Sequence, residues 1–310
     1  MTKSNKFPVN YCRKKRSLWV LQHLFLSIWT LGGMGLVWGE SLAQSLPVMT
    51  PTTPRAREYF ERGVGYIQQG RLQEAIAQFQ QASQLDPQMA AAHYNLGLAL
   101  RQQGQLEPAI QAFSRTIQAD PNFALAYSNL GAALYEAQRL GPAEGYLRQA
   151  LGLDPRLGPA HYNLGLVLLQ GGNIRDAIAH FQQATTLSPN APEPHYYLGE
   201  IYLQQGQLEP AQAAFQQAIR LSPRYPEAHY NLGILLYQQG NLNAALEAFR
   251  QSSQANPNYA NAYYGAGLVF LSQSRFSEAR GVLEHALSLY SQQGNGEWVE
   301  RTRHLLRQVP

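Results

Sequence analysis

The sequence predicts an all-α fold, a solenoid of antiparallel helix pairs, and three sets of residues carry that expectation. Acid-, Ser- or Asn-proline pairs recur at Asp86-Pro87, Asp120-Pro121, Asp154-Pro155, Ser188-Pro189, Ser222-Pro223 and Asn256-Pro257, each 34 residues after the last. Leucine-glycine pairs keep the same interval at Leu96-Gly97, Leu130-Gly131, Leu164-Gly165, Leu198-Gly199 and Leu232-Gly233. A column of alanines (Ala75, Ala109, Ala143, Ala177, Ala211, Ala245, Ala279) is followed four residues later by a bulky one (Phe79, Phe113, Leu147, Phe181, Phe215, Phe249, Leu283). A fixed period of this length marks stacked supersecondary units, none of which can bury its apolar faces alone.

The chain opens with a different signal. A basic cluster, Arg13 to Arg16, precedes an apolar run from Leu24 to Trp38, and Ser41-Leu42-Ala43 follows before Gln44. That order is the three-part pattern of a secretory signal, with small residues at Ser41 and Ala43 placing the cut after Ala43. Extended back to Leu18, the run reaches 21 residues, enough for about 30 Å of hydrocarbon, so a retained anchor over residues 18–38 is the alternative. Either way the expectation for 1–43 is a signal peptide or signal anchor, with residues 44 onward on the non-cytoplasmic side. The protein would then work in the periplasm or an equivalent lumen, free or tethered to the inner membrane. Residues 44–55 carry several prolines and no periodicity, and read as a flexible linker.

Within the repeat, the apolar residues of 90–103 fall at helical spacing, and Gly104 supplies a residue able to adopt φ > 0 and close the helix. A second helix opens near Glu107-Pro108, buries Ala109, Ile110 and Phe113, and stops before Pro121. Gly97 and Ala109 are small because the two helices cross there. Seven such units are expected over 56–293, starting near 56, 90, 124, 158, 192, 226 and 260. Unit 3 reads as the weakest, since Gly141, Gly145 and Gly152 fall in or beside its second helix at about 1 kcal/mol for each interior one. Residues 294–310 read as a capping helix with Trp298, Thr302, Leu305, Leu306 and Val309 along one face.

These columns resemble the tetratricopeptide repeat (TPR) family. Residues 192–225 match its pattern with Leu198, Gly199, Tyr202, Ala211, Phe215, Ala218 and Pro223. The departures are the family's Trp position, filled by Tyr59, His93, Tyr127, His161, His195, His229 and Tyr263, then Arg62 for the first Leu and Ser291 for the last Pro. The resemblance implies a right-handed superhelix whose first helices line a concave groove. It also implies ligand contacts at about the second, fifth, sixth, ninth and twelfth positions of those helices. Carried over, the fifth gives Tyr94, Tyr162, Tyr196, Tyr230 and Tyr264, and the sixth gives Asn95, Asn129, Asn163 and Asn231, where asparagine would pair with an extended peptide backbone. The competing reading is that each asparagine bonds within its own hairpin. Without lysine on these positions, the carboxylate clamp found in some members of the family is not expected.

Other chemistries find little support. The net charge is +4, yet residues 1–16 hold six basic residues and every lysine, leaving 18 arginines against 19 acids from residue 44 onward. A near-neutral repeat region lacks the basic face that nucleic acid requires. The single cysteine, Cys12, excludes a cysteine metal site or internal disulfide in the repeats. Histidines in successive units lie about 10 Å apart, too far to share one zinc. No nucleophile elbow or phosphate loop occurs, so neither catalysis nor a cofactor or metal is expected. The expectation is a protein- or peptide-binding scaffold, touching membrane only through an uncleaved N-terminal segment. Its rival is a structural element that self-associates into a homo-oligomer.

Overall fold

The structure is a computed structural model that describes residues 53–309. The expected signal or anchor over 1–43, and linker residues 44–52, lie outside the described residues.

Fifteen α-helices and no strands occupy the described residues. They run α1 (Pro54–Gln68), α2 (Leu72–Leu85), α3 (Ala90–Gln102), α4 (Leu106–Ala119), α5 (Ala124–Glu136), α6 (Leu140–Leu153), α7 (Gly158–Gln170) and α8 (Ile174–Leu187). Then come α9 (Pro192–Gln204), α10 (Leu208–Leu221), α11 (Pro226–Gln238), α12 (Leu242–Ala255), α13 (Ala260–Ser272), α14 (Phe276–Gln292) and α15 (Gly296–Leu306). Odd-numbered helices up to α13 are the first, or A, helices of seven units, and their even-numbered partners are the B helices. Helix α1 begins at Pro54, with the Thr53 hydroxyl accepting from the Ala56 N–H at 3.3 Å. Pro54 and Arg55, read from the sequence as linker, are therefore helical, because proline is favoured where the N–H has no partner anyway.

Each hairpin closes around a glycine and a bulky side chain, a phenylalanine ring except in units 3 and 7, where Leu147 meets Gly131 and Leu283 meets Gly267. A Cβ added at Gly97 would stand 2.7 Å from the Phe113 ring, and one at Gly199 2.6 Å from Phe215. The small residue thus admits the ring itself, and the rings of Phe79, Phe113, Phe181 and Phe215 are fully buried. Burial of each ring supplies on the order of 1.5–3 kcal/mol. The A-to-B turn places one residue at positive φ: Gly104 at 73°, and in unit 3 Gln138 at 60°. Between units the acid before proline accepts a backbone bond two residues on, as Asp120 does from Asn122 N–H at 3.0 Å. This Asx turn ends one unit and aims the chain into the next.

Every helix packs on its neighbours in sequence, and successive A helices also meet across units, α3 with α5, α5 with α7, α9 with α11 and α11 with α13. No pair of B helices approaches comparably, so the stack curves with the A helices on its inner side. At its end α14 runs to Gln292, longer than the other B helices, because Ser291 stands where other units have proline. Helix α15 covers the last unit through Val299, Thr302 and, beyond its end, Val309, which are buried. Trp298 stacks on Tyr290 at 5.5 Å. The covering stripe therefore includes Val299, while Leu305 and Leu306 are only half-buried.

Candidate functional site

The fifth position of an A helix lies about 100° further round than the fourth, which turns it toward both its own B helix and the following unit. Tyr94 is accordingly buried, its ring 6.0 Å from Phe113 and 4.8 Å from Phe123 at the entry to the next unit. Tyr196 is buried against Phe215 and Tyr225, at 6.1 and 5.0 Å. Tyr162 packs on Phe181 and Tyr197, and Tyr230 on Phe249 and Tyr259. Tyr264 meets Trp298 of the terminal helix edge-on at 5.2 Å. Burial pushes the Tyr94 phenol up to about 12 and that of Tyr196 well above its usual value, so both remain neutral.

The asparagines complete this seam. Asn95 is buried and donates to the Ala91 carbonyl one turn back at 2.9 Å. Asn129 donates to the Leu125 carbonyl at 3.0 Å and to the Tyr94 hydroxyl at 3.1 Å, and accepts from the Arg101 guanidinium at 3.2 Å. Arg101 reaches on to Glu136 at 2.6 Å. The same geometry returns where Asn231 donates to the Tyr196 hydroxyl and to Glu200, both at 3.2 Å, and Tyr196 donates to Glu200 at 2.6 Å. Each phenol thus bonds an asparagine 35 residues later. In between, at the Asn register position of unit 5, Tyr197 lies nearly parallel to Phe181 at 5.4 Å and hydrogen-bonds the Tyr162 hydroxyl of the preceding unit.

Of the expected ligand-facing set, Tyr94, Tyr196 and Asn231 are inter-unit mortar, with side chains spent on neighbouring units, and Asn95 is buried with its amide bonded inside its own helix. Asn129 is half-buried in the same bonds, Tyr162, Tyr230 and Tyr264 are half-buried with rings packed internally, and Asn163 is half-exposed. The competing reading, asparagine bonding within the scaffold, describes Asn95 and the carbonyl bond of Asn129.

The inner face itself is formed by other register positions. Leu98, Ile234 and Leu268 at the ninth position, and Tyr135, Leu203 and Tyr237 at the twelfth, are half-exposed. Among them stand carboxyls the sequence reading passed over: Glu193 and Glu227 at the second position and Glu200 at the ninth. Burial raises all three, Glu200 to about 7, with its Tyr196 and Asn231 bonds opposing the rise and nearby Glu227 adding to it. Their register positions were the available signal, since the second and ninth belong to the same inner face as the fifth and sixth.

The histidines at the fourth position have a structural task. Nε2 of His93, His161 and His229 meets the carbonyl of the proline six residues earlier (Pro87, Pro155 and Pro223) at 3.1, 3.1 and 2.9 Å. Each ring therefore braces the turn before its own helix, an Asx turn for His93 and His161.

An all-helical array of hairpins with an inner face of this kind is a repeat scaffold. Family models described as "TPR repeat" match residues 165–206 and 199–240, and ones described as "Tetratricopeptide repeat" match 60–124, 107–161 and 234–294. The chain belongs to the tetratricopeptide repeat family. No curated protein sequence matches it. Among solved structures it is similar to a chain of the APC/C hetero-tetramer Cut9-Hcn1, with 21% identity and a TM-score of 0.64 over 69% of this chain. That match spans only 43% of the other chain. A tetratricopeptide repeat protein from Parabacteroides merdae is 19% identical over 80% of this chain and 99% of its own, with a TM-score of 0.61. PilF of Pseudomonas aeruginosa is 22% identical over 67% and 95%, with a TM-score of 0.60. These likenesses establish the fold.

Proposed function

We propose that this protein is a non-catalytic scaffold that holds an extended segment of a partner protein along the inner face of its A helices, on the non-cytoplasmic side of a membrane. Protein–protein interaction is what the tetratricopeptide fold serves as a class. The observation that supports the inner face here is its row of half-exposed Leu98, Tyr135, Leu203, Ile234, Tyr237 and Leu268. They are set on a wall whose seams are already closed by the tyrosine and asparagine bonds. Such a wall is preorganised, so little ordering entropy remains to be lost on binding. The export assignment rests on the basic, apolar and small-residue order of residues 13–43.

The test is capture of partners from envelope extract by residues 44–310, beside a variant with Leu98→Arg and Ile234→Arg that keeps its helical melting. Partners should be lost from the variant, and wild-type capture should persist through moderate salt, because the apolar wall contributes more than exposed ion pairs. Unchanged capture would move the site off the inner face. Absence of partners together with a mass that grows with concentration would support the self-associating alternative.

A further inference from the structure

Unit 4 brings two histidines together. The fourth residue of the A helix meets the residue 19 positions later on the B helix in unit 3, Tyr127 with Tyr146, and in unit 4, while in unit 7 Tyr263 meets His285. The residue at that offset is Ala112 from His93, Ala214 from His195 and Ala248 from His229. For His161 on α7 it is His180 on α8, and the two rings come together with centroids 5.1 Å apart and Nδ1 to Nδ1 at 2.9 Å. We propose that His161 and His180 form a two-imidazole site for a divalent transition metal, with Cu2+ or Ni2+ preferred over Zn2+.

The protonation pattern of the pair already suits ligation. Nε2 of His161 donates to the Pro155 carbonyl at 3.1 Å, which leaves the lone pair on Nδ1, the atom turned toward His180. A ring nitrogen fixed by a backbone carbonyl while the other nitrogen is free to ligate is the usual arrangement behind metal-bound histidine. In the metal-free pair His180 donates from Nδ1 to that lone pair. On binding, His180 moves its proton from Nδ1 to Nε2, each ring tilts to turn its lone pair off the N···N line, and the metal sheds two waters. The proton stays on His180, and no net proton is released.

The 2.9 Å separation is the hydrogen-bond length of the metal-free pair, so the preference among metals comes from ligand chemistry: imidazole suits Cu2+ and Ni2+, and Cu2+ binds a given nitrogen site more tightly than Zn2+. No group of three or more His, Cys, Asp or Glu side chains among the described residues is placed to hold a metal, so water would complete the coordination. Both histidines are partly exposed, which leaves room for it. The charged groups facing His180 are Asp176, one turn back on α8, which favours its cation, and Arg148 from α6, which opposes it together with His161. Burial is the largest influence and lowers the His180 pKa.

The experiment is calorimetric titration of the untagged full chain with CuCl2 and with NiCl2 at pH 7.5, with melting temperature followed in parallel. Wild type should bind one equivalent that raises its melting temperature. His180→Ala, which leaves the Pro155 brace intact, should weaken that equivalent by at least about 10–100-fold. Ala112→His, which sets an imidazole opposite His93 in unit 2, should add a second equivalent, and this arm decides the matter if His180→Ala fails to fold. Equal affinity and stoichiometry in wild type and a folded His180→Ala would overturn the site. So would a chain carrying Ala112→His that folds and gains nothing.

Discussion

Glycine plays opposite parts at two sets of helical positions. At Gly97 an added methyl would press on the Phe113 ring, 2.7 Å away, whereas at Gly145, on the exposed side of α6, it would meet nothing within 4 Å. Gly97→Ala should therefore destabilise by about 1–3 kcal/mol through overpacking. Gly145→Ala should stabilise by about 0.5–1 kcal/mol, because the unfolded chain loses freedom at no steric cost. Urea titration of the two variants checks both signs. Glu200 carries the residue-scale pH dependence. Its folded-state pKa of about 7 lies above the ordinary 4.5, so the folded protein retains a proton that the unfolded chain gives up between these values. Stability from this group is undiminished below about pH 4.5, falls as pH rises toward 7, and stays reduced above it. Glu200→Gln keeps acceptors for Tyr196 and Asn231. It should leave stability unchanged near pH 4 and raise it by at most about 3 kcal/mol at pH 8, as thermal melting at the two pH values will read.

At the scale of the helix, sequence and structure agree wherever the signal is local. Prolines, glycine turns and the alanine and phenylalanine columns stand in the sequence at the ends and crossing points of the helices they shape. Helix α14 runs longer than the other B helices because its stop signal, a proline, is missing at Ser291, and α1 begins before residue 56 because Pro54 serves as its first residue. The binding columns were harder to read. Period alone tells which positions are equivalent, but the direction of the fifth and sixth positions depends on how one hairpin is rotated against the next. Tyr94 and Asn129 lie 35 residues apart, and only the stacking of units brings them to 3.1 Å. His180 escaped notice for the same reason, since its partner is set by the hairpin and not by the histidine column. Unit 3 combines Gly141, Gly145 and Gly152 with a left-handed Gln138 where five other units place glycine. A non-glycine residue costs about 1–2 kcal/mol in that conformation. Native-state hydrogen exchange should find the amides of α6 less protected than those of α8 or α10, and Gln138→Gly should raise their protection. Equal protection across the three helices would contradict this.

Over the whole repeat region, neighbour-to-neighbour packing means that stability is close to a sum over units and their interfaces. The tyrosine-asparagine bonds belong to those interfaces, and they hold adjacent A helices in a fixed relation that shapes the inner face. Its polarity is mostly neutral, with acidic groups at Glu61, Glu193, Glu200 and Glu227. The near balance of 18 arginines and 19 acids from residue 44 onward leaves no strong field to steer a partner, so shape and apolar contact must supply the recognition. The most direct test of that account is site-specific photocrosslinking with a photoreactive residue at Leu98, Glu193 or Ile234 on the inner face, and at Gln111, Gln149 or Gln216 on the B helices, in native envelope extract. The account predicts adducts to one common partner from the inner positions and none from the B-helix positions. The same partner captured from the B helices alone would contradict it.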